Sequence, residues 1–396
     1  MNNSIFSDRI ADVPRSFIRE ILKVALDHTF ISFGGGLPNR ALFPVEPIKA
    51  AAAKIFETFG NDVLQYADSE GSKVLRELIA RRYKTKKGLE VLPERVLITT
   101  GSQQGIDLMG KALINEGDDV VIDEPCYLAA IQAFSLYKPR FHPIPMNGEG
   151  MDVKRFKNLM SKIKPKLVYT VPNFQNPSGV SYSEATRRAM AEIISGTKTM
   201  LLEDDPYWEI RFSGKDLPSF MSMIPENTVT LGSFSKIVSP GIRLGWMVAP
   251  DALLDKAIIA KQAADLHTSY FVQCMVYQYM VDNDVEKHIR LICDSYGKQC
   301  RAMMDAIKEF FPPGVTHSHP EGGMFLWAAM PEGASSRRLL DCAVKEKVLF
   351  VPGDPFYIGR KDSNTMRLNF TCSNEQEIRT GIERLGNAMK KLLPSR

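Results

Sequence analysis

The sequence has few of the features that mark several large classes of protein. Its six cysteines form no Cys-x-x-Cys pair and show no metal-ligand spacing with histidine, so neither a disulfide framework nor a metal site is predicted. Lys and Arg exceed Asp and Glu by only 50 to 46, without a basic tail, which argues against a nucleic-acid partner. No apolar run reaches the length of a membrane span, and the first ten residues do not resemble a secretion signal. We therefore expect a cytoplasmic protein with reduced thiols.

The order of apolar runs indicates an α/β protein. A chain of 396 residues is long for one core and predicts two lobes. Short β-branched runs are interpreted as buried strands at 95–100, 119–123, 166–171, 199–204 and 228–233, and helical patterns lie between them at 102–115 and 183–195. Nearly continuous apolar strands that alternate with helices are typical of a mainly parallel sheet with both faces covered.

The two ends of the chain have a different pattern. From about Asp282 a long helical stretch leads to strands predicted at 323–330 and 365–371 and to a final helix at 374–392. This order predicts a smaller α+β lobe. A helix predicted near 15–26 either packs with that lobe or reaches across to a partner.

Polar clusters follow several of the predicted strands, and ligands of open α/β sheets bind beyond the carboxyl ends of strands. "GSQQG" (101–105) opens a helix, so its backbone N–H groups predict a phosphate site, although Ser102 as a simple helix cap is also possible. In "PNFQNPSG" (172–179), Asn176 either donates an amide hydrogen bond to a ligand or only forms an Asn-Pro turn.

A third cluster contains acidic residues at the end of an apolar strand. In "EDDPYW" (203–208), Asp204 and Tyr207 are placed to face one ligand together, or else the segment is a solvated acidic turn. A carboxylate at the end of a buried strand is costly unless it meets a positive or proton-bearing partner.

The most informative cluster is "SFSKIVSPGIRLGW" (233–246), where one lysine and one arginine stand among small and apolar residues. Lys236 is suited to form a Schiff base as a desolvated amine, and Arg243 to bind a phosphate together with Ser233 and Ser235. An amine, a phosphate site, an amide and an acidic partner for a pyridine-type ring match the chemistry of pyridoxal 5′-phosphate. Asp204 would keep the ring nitrogen protonated through its opposite charge.

These motifs occur in a recognisable order over nearly the whole chain. The sequence resembles the class I/II aminotransferases of fold type I through "YADSEGSKVLRE", "GSQQ", "DEPCY", "PNFQNPSG", "EDDPY", "SFSKIVSPGIRLGW" and "MRLNFT". It is most similar to the branch with 2-aminoadipate, kynurenine and multi-substrate aromatic aminotransferases, and also resembles the effector domains of MocR-type regulators. The "GDPFY" segment (353–357) departs from the expected forms, which leaves substrate specificity open.

The resemblance implies a domain plan and an assembly. A large pyridoxal-phosphate domain at 45–281 would contain a mainly parallel, seven-stranded-type sheet. A smaller α+β domain would combine 282–396 with the N-terminal segment 1–44. The family also implies a homodimer with shared active sites, in which Tyr66 reaches the phosphate of the other subunit.

The resemblance also implies the role of each site residue. Lys236 would hold the cofactor and move the substrate proton, with Asp204 at the ring nitrogen and Tyr207 as further catalytic residues. The implied cofactor site consists of Ser102, Gln103, Tyr127, Asn176, Asp204, Tyr207, Ser233, Ser235, Lys236, Arg243 and the other subunit's Tyr66. The implied substrate site consists of Arg367, Asn176, Arg19, Gly35 and Gly36, with Arg367 binding the α-carboxylate.

Substrate choice is predicted to depend on Arg19. "RSFIREIL" (15–22) places Arg15 and Arg19 on one helical face. Either these arginines pair with nearby acids on a surface helix, or Arg19 enters the active site and binds a distal substrate carboxylate.

The predicted function is transfer of an amino group from an aromatic, 2-aminoadipate or branched or aliphatic L-amino acid to a 2-oxo acid, with 2-oxoglutarate the expected acceptor. A lyase or decarboxylase with the same cofactor remains an alternative. A MocR-type sensing domain is disfavoured because the sequence has no winged-helix DNA-binding part.

Overall fold

The computed structural model describes residues 5–11, 13 and 29–393, so the helix predicted near 15–26 lies outside the described residues. The strands are β1 (Ile31–Ser32), β2 (Val96–Thr99), β3 (Asp119–Glu124), β4 (Arg140–Asn147), β5 (Gly150–Met151), β6 (Leu167–Thr170), β7 (Met200–Asp204), β8 (Thr228–Ser233), β9 (Gly245–Val248), β10 (Thr316–His317), β11 (Phe325–Ala329), β12 (Val348–Leu349), β13 (Val351–Pro352) and β14 (Thr365–Asn369).

The described α-helices are α1 (Asp8–Ala11), α2 (Val45–Phe59), α3 (Lys73–Lys87), α4 (Ser102–Leu113), α5 (Leu128–Ser135), α6 (Val153–Met160), α7 (Glu184–Ile194), α8 (Asp251–Asp265), α9 (Tyr270–Asp282), α10 (Val285–Phe310), α11 (Ser336–Lys345) and α12 (Glu375–Leu392). Short 3-10 helices lie at Arg40–Leu42, Gly60–Leu64, Pro93–Arg95, Phe220–Ser222, Pro225–Asn227, Pro240–Ile242 and Asp354–Phe356. Among these described helices, none has the length and apolar character needed to cross a membrane.

The large sheet contains eight strands in the order β2-β9-β8-β7-β6-β3-β4-β5. β4, β3, β6, β7 and β8 are parallel neighbours, whereas β9 is antiparallel to β2 and β8, and the two-residue β5 is antiparallel to β4. The other seven strands form the mainly parallel sheet that the sequence predicts. Five of these strands were predicted from the sequence, whereas β4 and β9 were not.

Both faces of this sheet are buried, which explains why its strands are almost continuously apolar. In β3, Val120 and Ile122 pack into the larger of two hydrophobic clusters, while Val121 between them packs into the other. In β6, Leu167 and Val168 divide in the same way. Side chains alternate across a strand, so a polar face is missing only when helices cover both sides.

The smaller sheet is antiparallel and has the order β10-β11-β14-β13. α10 packs against α12, and α11 also contacts α12. Before the large sheet begins, β1 pairs in parallel with β12, and the Asn369 N–H donates to the Phe33 carbonyl over 2.8 Å. The described segment around β1 is therefore fastened to elements from the last part of the chain.

A glycine allows β8 and β9 to meet at the edge where the candidate site lies. Gly232 is paired with Trp246 across these strands, and a Cβ at Gly232 would lie 2.1 Å from the indole ring. The indole N–H donates to the hydroxyl of Tyr83 over 3.0 Å, so the ring is held in place on its other side. A side chain at Gly232 would have to displace the tryptophan.

Candidate active site

One cavity lies at the carboxyl edge of the large sheet. It is lined by Ser102, Gln103, Tyr127, Val171, Asn176, Asp204, Pro206, Tyr207, Ser233, Ser235, Lys236 and Arg243. These residues follow or end β2, β3, β6, β7 and β8, which finish on the same side because they share one direction. The structure thus brings together ten of the eleven residues predicted to bind the cofactor. Val171 and Pro206 were not predicted, since apolar residues next to polar ones carry no chemical signal.

Lys236 lies in the turn after β8 and points its amine toward an aromatic ring. Its Nζ is 5.7 Å from the centre of the Tyr207 ring. Burial lowers the pKa of Lys236 to about 8, and the charges of Arg243 and Arg367 act in the same direction, whereas Asp204 opposes them. A lysine with this pKa has a substantial neutral fraction near pH 8, and only the neutral amine is a nucleophile or a base.

Asp204 is a buried carboxylate with one unused oxygen. It is 2% exposed, its Oδ2 accepts a 2.8 Å hydrogen bond from the Tyr169 hydroxyl, and its Oδ1 has no partner among the described residues. Burial raises its pKa to about 7 against the opposing effects of that hydrogen bond and of Lys236. A cationic N–H donor placed at Oδ1 would satisfy the oxygen and favour the ionised form.

The neighbouring Asp205 is held in a different environment. Its two oxygens accept hydrogen bonds of 2.7 Å from Lys87 Nζ and Asn173 Nδ2. Adjacent residues of an extended chain point in opposite directions, so the two acids cannot exchange roles. Only Asp204 faces the cavity.

The start of α4 and an arginine together form an anion site. Gly101, not Ser102, caps α4, and it does so with a φ of +75° and without a side-chain hydrogen bond; the interpretation of Ser102 as a simple cap is therefore wrong. Arg243 Nη2 donates to the Thr100 carbonyl over 3.4 Å, and a Cβ at Gly101 would lie 2.5 Å from that nitrogen. Glycine thus lets the guanidinium lie against the helix start, where free N–H groups favour a phosphate.

Arg367, on β14, forms a second cationic position. It is 3% exposed and its guanidinium carbon lies 4.3 Å and 5.3 Å from the ring centres of Phe325 and Phe356. Nη1 donates to Asn176 Oδ1 over 2.9 Å and Nη2 to the Gly34 carbonyl over 3.0 Å. Burial lowers the pKa of Arg367 to about 10, and Nε has no partner among the described residues. A carboxylate would supply the missing acceptor and the missing charge.

Two phenols lie between these charged groups. Burial raises the pKa of Tyr127 to about 12 and also raises that of Tyr207, with the charge of Arg367 opposing both shifts. Tyr207 is 5% exposed, and its ring meets Phe325 edge-on with 6.2 Å between centres. Both phenols stay protonated near neutral pH and are available as hydrogen-bond donors.

The remaining predicted residues are distributed as follows. A Cβ at Gly36 would lie 3.8 Å from Arg367 Nη2, and the adjacent Gly35 is buried. Tyr66 does not line the cavity; it is 78% exposed and contacts His267 edge-on with 5.8 Å between ring centres. Arg19 lies outside the described residues. No three His, Cys, Asp or Glu side chains come together as metal ligands in the part of the chain that the structure describes.

Comparisons with known proteins agree with this geometry. Residues 31–385 match the family described as aminotransferase class I and II. The aromatic-amino-acid aminotransferase 1 of Thermococcus litoralis is 40% identical, over 98% of this chain and 94% of that protein. The solved structure of Pyrococcus horikoshii kynurenine aminotransferase with PMP has a TM-score of 0.94 at 39% identity, covering 99% of this chain and 98% of that one.

A third comparison includes a cofactor–substrate adduct. The α-aminoadipate aminotransferase LysN from Thermus thermophilus, complexed with N-(5′-phosphopyridoxyl)-L-leucine, has a TM-score of 0.91 at 37% identity and 98% coverage of both chains. This chain belongs to the class I and II aminotransferase family. It is an enzyme that transfers amino groups, it has the fold of type I pyridoxal-phosphate enzymes, and its cofactor is pyridoxal 5′-phosphate. The predicted family, fold class and cofactor are confirmed.

The cavity fits this cofactor on features of its own. An unpaired carboxylate oxygen on Asp204 suits a protonated ring nitrogen, the start of α4 with Arg243 suits a phosphate, and Lys236 suits an aldehyde. The unpaired Nε of Arg367 lies outside this set and is free for a substrate carboxylate.

The lowered pKa of Lys236 predicts how its amine reacts in protein freed of cofactor. We expect its rate of acetylation by acetic anhydride to rise with a midpoint near pH 8, because the neutral amine is populated there. Mass spectrometry of the labelled peptides measures this rate, with the exposed Lys198 as an internal reference. The variant Arg367→Met should move the midpoint upward, since one of the charges that lower the pKa is removed. An unchanged midpoint in this variant contradicts the electrostatic account.

Proposed function

We propose that the cavity residues act in the roles that their chemistry suits. Asp204 holds the ring nitrogen at Oδ1, the start of α4 with Ser233, Ser235 and Arg243 holds the phosphate, and Tyr127 lies on the ring face. Asn176 and Tyr207 bond the phenolic oxygen. The single observation that carries this proposal is the buried, unpaired Oδ1 of Asp204 in the same cavity as Lys236.

Bound pyridoxal phosphate supplies an aldehyde that accepts the amino group and a ring that stabilises negative charge at the substrate α-carbon. Lys236 Nζ, as a neutral amine, would take the proton from the substrate α-carbon and would then serve as the proton donor. Arg367 would hold the substrate by its α-carboxylate through the available Nε, with the α-hydrogen toward Lys236. The burial of Arg367 would strengthen its interaction with the carboxylate.

The substrate class rests on the relatives and on one residue. The matched relatives are named for aromatic amino acids, kynurenine and α-aminoadipate, and we propose that this enzyme takes donors from the same range, with 2-oxoglutarate as acceptor. Arg19 would bind the distal carboxylate of 2-oxoglutarate and 2-aminoadipate, while Gly35 and Gly36 let the backbone approach the substrate.

The domain division and the assembly are also proposals. Residues 45–281 would form the large domain, and 1–44 with 282–396 the small one; the two main sheets and the β1–β12 pair are consistent with this division. We propose a homodimer with shared sites, because Tyr66 is exposed and lies outside its own chain's cavity. A cytoplasmic location is part of the same proposal.

The role of Asp204 predicts the effect of removing one charge. Asp204→Asn should keep the phosphate contacts yet lower turnover by about 10²–10³-fold, because the ring nitrogen loses its anionic partner, while cofactor affinity falls less. Steady-state kinetics and visible absorbance measure the two effects. Asp205→Asn is the matched control and should affect stability more than turnover, since Asp205 pairs with Lys87. Near-normal turnover of Asp204→Asn would refute the assignment.

A panel of donors tests the reaction and its specificity. With 2-oxoglutarate present, 2-aminoadipate, kynurenine, phenylalanine and leucine are assayed for glutamate formation. We expect glutamate and the matching 2-oxo acid in equal amounts; ammonia release without an acceptor would indicate a lyase.

The proposed role of Arg19 predicts a selective loss of binding. Arg19→Ala should weaken the binding of 2-oxoglutarate and 2-aminoadipate far more than that of leucine or phenylalanine, by roughly 2–5 kcal/mol if the ion pair is desolvated. Equal losses would remove Arg19 from the substrate site.

Mixed dimers test whether active sites are shared. A Tyr66→Phe subunit and a Lys236→Ala subunit are each defective, but a mixed dimer has one site with both natural residues. Random mixing therefore restores about a quarter of all sites, and activity should exceed the mean of the two parents. Activity at that mean, or full activity in a species shown to be monomeric by ultracentrifugation, is incompatible with shared sites.

A further inference from the structure

A buried lysine lies next to the anion site but does not line it. Lys261, near the end of α8, is 0% exposed, and its Nζ donates to Gln104 Oε1 over 2.9 Å, to Thr268 Oγ1 over 3.0 Å and to both oxygens of Asp265 over 2.9 and 3.1 Å. Burying an ammonium group is costly unless its partners compensate for lost water. The three polar partners of Lys261 compensate for this cost, which indicates that Lys261 has a role besides packing.

These partners fix the loop that precedes α4. Gln104 Oε1, which Lys261 contacts, also accepts the Thr100 N–H over 2.8 Å. Asp265 Oδ2 accepts from Gln104 Nε2 over 2.7 Å and from the Thr100 hydroxyl over 3.0 Å. The Thr100 carbonyl in turn accepts from Arg243. Thr100, at the start of the proposed phosphate site, is thus held by Gln104 and Asp265, which are both partners of Lys261, and by Arg243.

The same lysine also reaches the segment that carries Tyr66. Thr268, its third partner, lies next to His267, whose Nδ1 is 2.9 Å from the Thr268 carbonyl. His267 Nε2 accepts the Ala67 N–H over 3.4 Å, and its ring supports Tyr66 edge-on. Lys261 is therefore linked to two segments that the proposed function places at a phosphate. The start of α4 would contact the phosphate in its own subunit, and Tyr66 would contact the phosphate in the other subunit.

We propose that Lys261 is a positioning residue for the cofactor phosphate, acting through Gln104 and Thr100 on the start of α4. The proposal rests on the assignment of the phosphate to this site. Lys261 does not line the cavity, so its effect on the phosphate would be indirect. Its effect is to hold backbone N–H groups and Arg243 in the geometry that a phosphate requires.

The test compares two ligands that differ only in the phosphate. The full-length holoenzyme and its variants are first freed of cofactor and then equilibrated by dialysis against pyridoxal phosphate or pyridoxal, and bound ligand is measured by absorbance. Lys261→Met should weaken pyridoxal phosphate by roughly tenfold or more, the size expected for hydrogen bonds of a charged group, and leave pyridoxal almost unchanged. Lys256→Met, at an exposed position of the same helix, is the matched control and should behave as the unaltered enzyme.

Two further variants keep the test decisive. Gln104→Met interrupts the same contacts but leaves Lys261 paired with Asp265, so it replaces Lys261→Met if that variant does not fold. If both residues act through the same contacts, the double variant should bind pyridoxal phosphate no more weakly than the weaker-binding single variant. Arg243→Ala reports on the phosphate site itself. If Arg243→Ala weakens pyridoxal phosphate selectively but Lys261→Met and Gln104→Met weaken both ligands equally, the positioning role is wrong. If no variant, including Arg243→Ala, is selective, the phosphate assignment fails first.

Discussion

The electrostatic coupling of Lys236 to two nearby arginines is the constraint on which the site depends. Burial lowers the pKa of Lys236, Arg243 and Arg367 lower it further, and Asp204 acts against them. Arg367 is buried whereas Arg243 is exposed, so the cost of bringing these cations together falls mainly on Arg367 and Lys236. In the proposed roles, a phosphate at Arg243 and a carboxylate at Arg367 would offset this repulsion. The same repulsion favours the neutral form of Lys236, which is the form that reacts.

The sheet places these charges at fixed distances from one another. Parallel strands end at one edge, and each of the cationic or acidic groups of the cofactor site follows or ends such a strand. Close backbone approaches at this edge require glycine: Gly101 leaves room for Arg243, and Gly232 leaves room for Trp246. The stability of the large apolar core therefore offsets the repulsion between these charged groups and keeps them at fixed positions. A loop with few contacts could not do this.

Most residues that line the cavity could be predicted from the sequence to lie together, because each stands in a short motif at the end of a buried strand, as Lys236 and Asp204 do. β4 and β9 were missed for physical reasons. β4 contains Pro143 and Pro145 and is only partly buried, so it lacks the pattern of a central strand. β9 is fully buried, but it begins inside the 233–246 stretch whose charged and small residues were interpreted as a ligand-binding motif. Phe325 and Phe356, which flank Arg367, are apolar residues whose function depends on a contact that no local pattern reveals.

The substrate end of the site is built differently, and this difference limits what short motifs can predict. The Gly34 carbonyl accepts from Arg367, and the Leu37 carbonyl accepts from the Thr371 hydroxyl over 2.8 Å, so residues from distant parts of the chain meet beside Asn176, to which Arg367 also donates. The cofactor end, in contrast, is made by successive strands of one sheet. In the proposed roles, the described segment near Gly34 contacts the substrate carboxylate site through Arg367 and makes none of the cavity contacts of Asp204, Lys236 and Arg243. Contacts to the substrate and contacts to the cofactor would then be made by different parts of the chain.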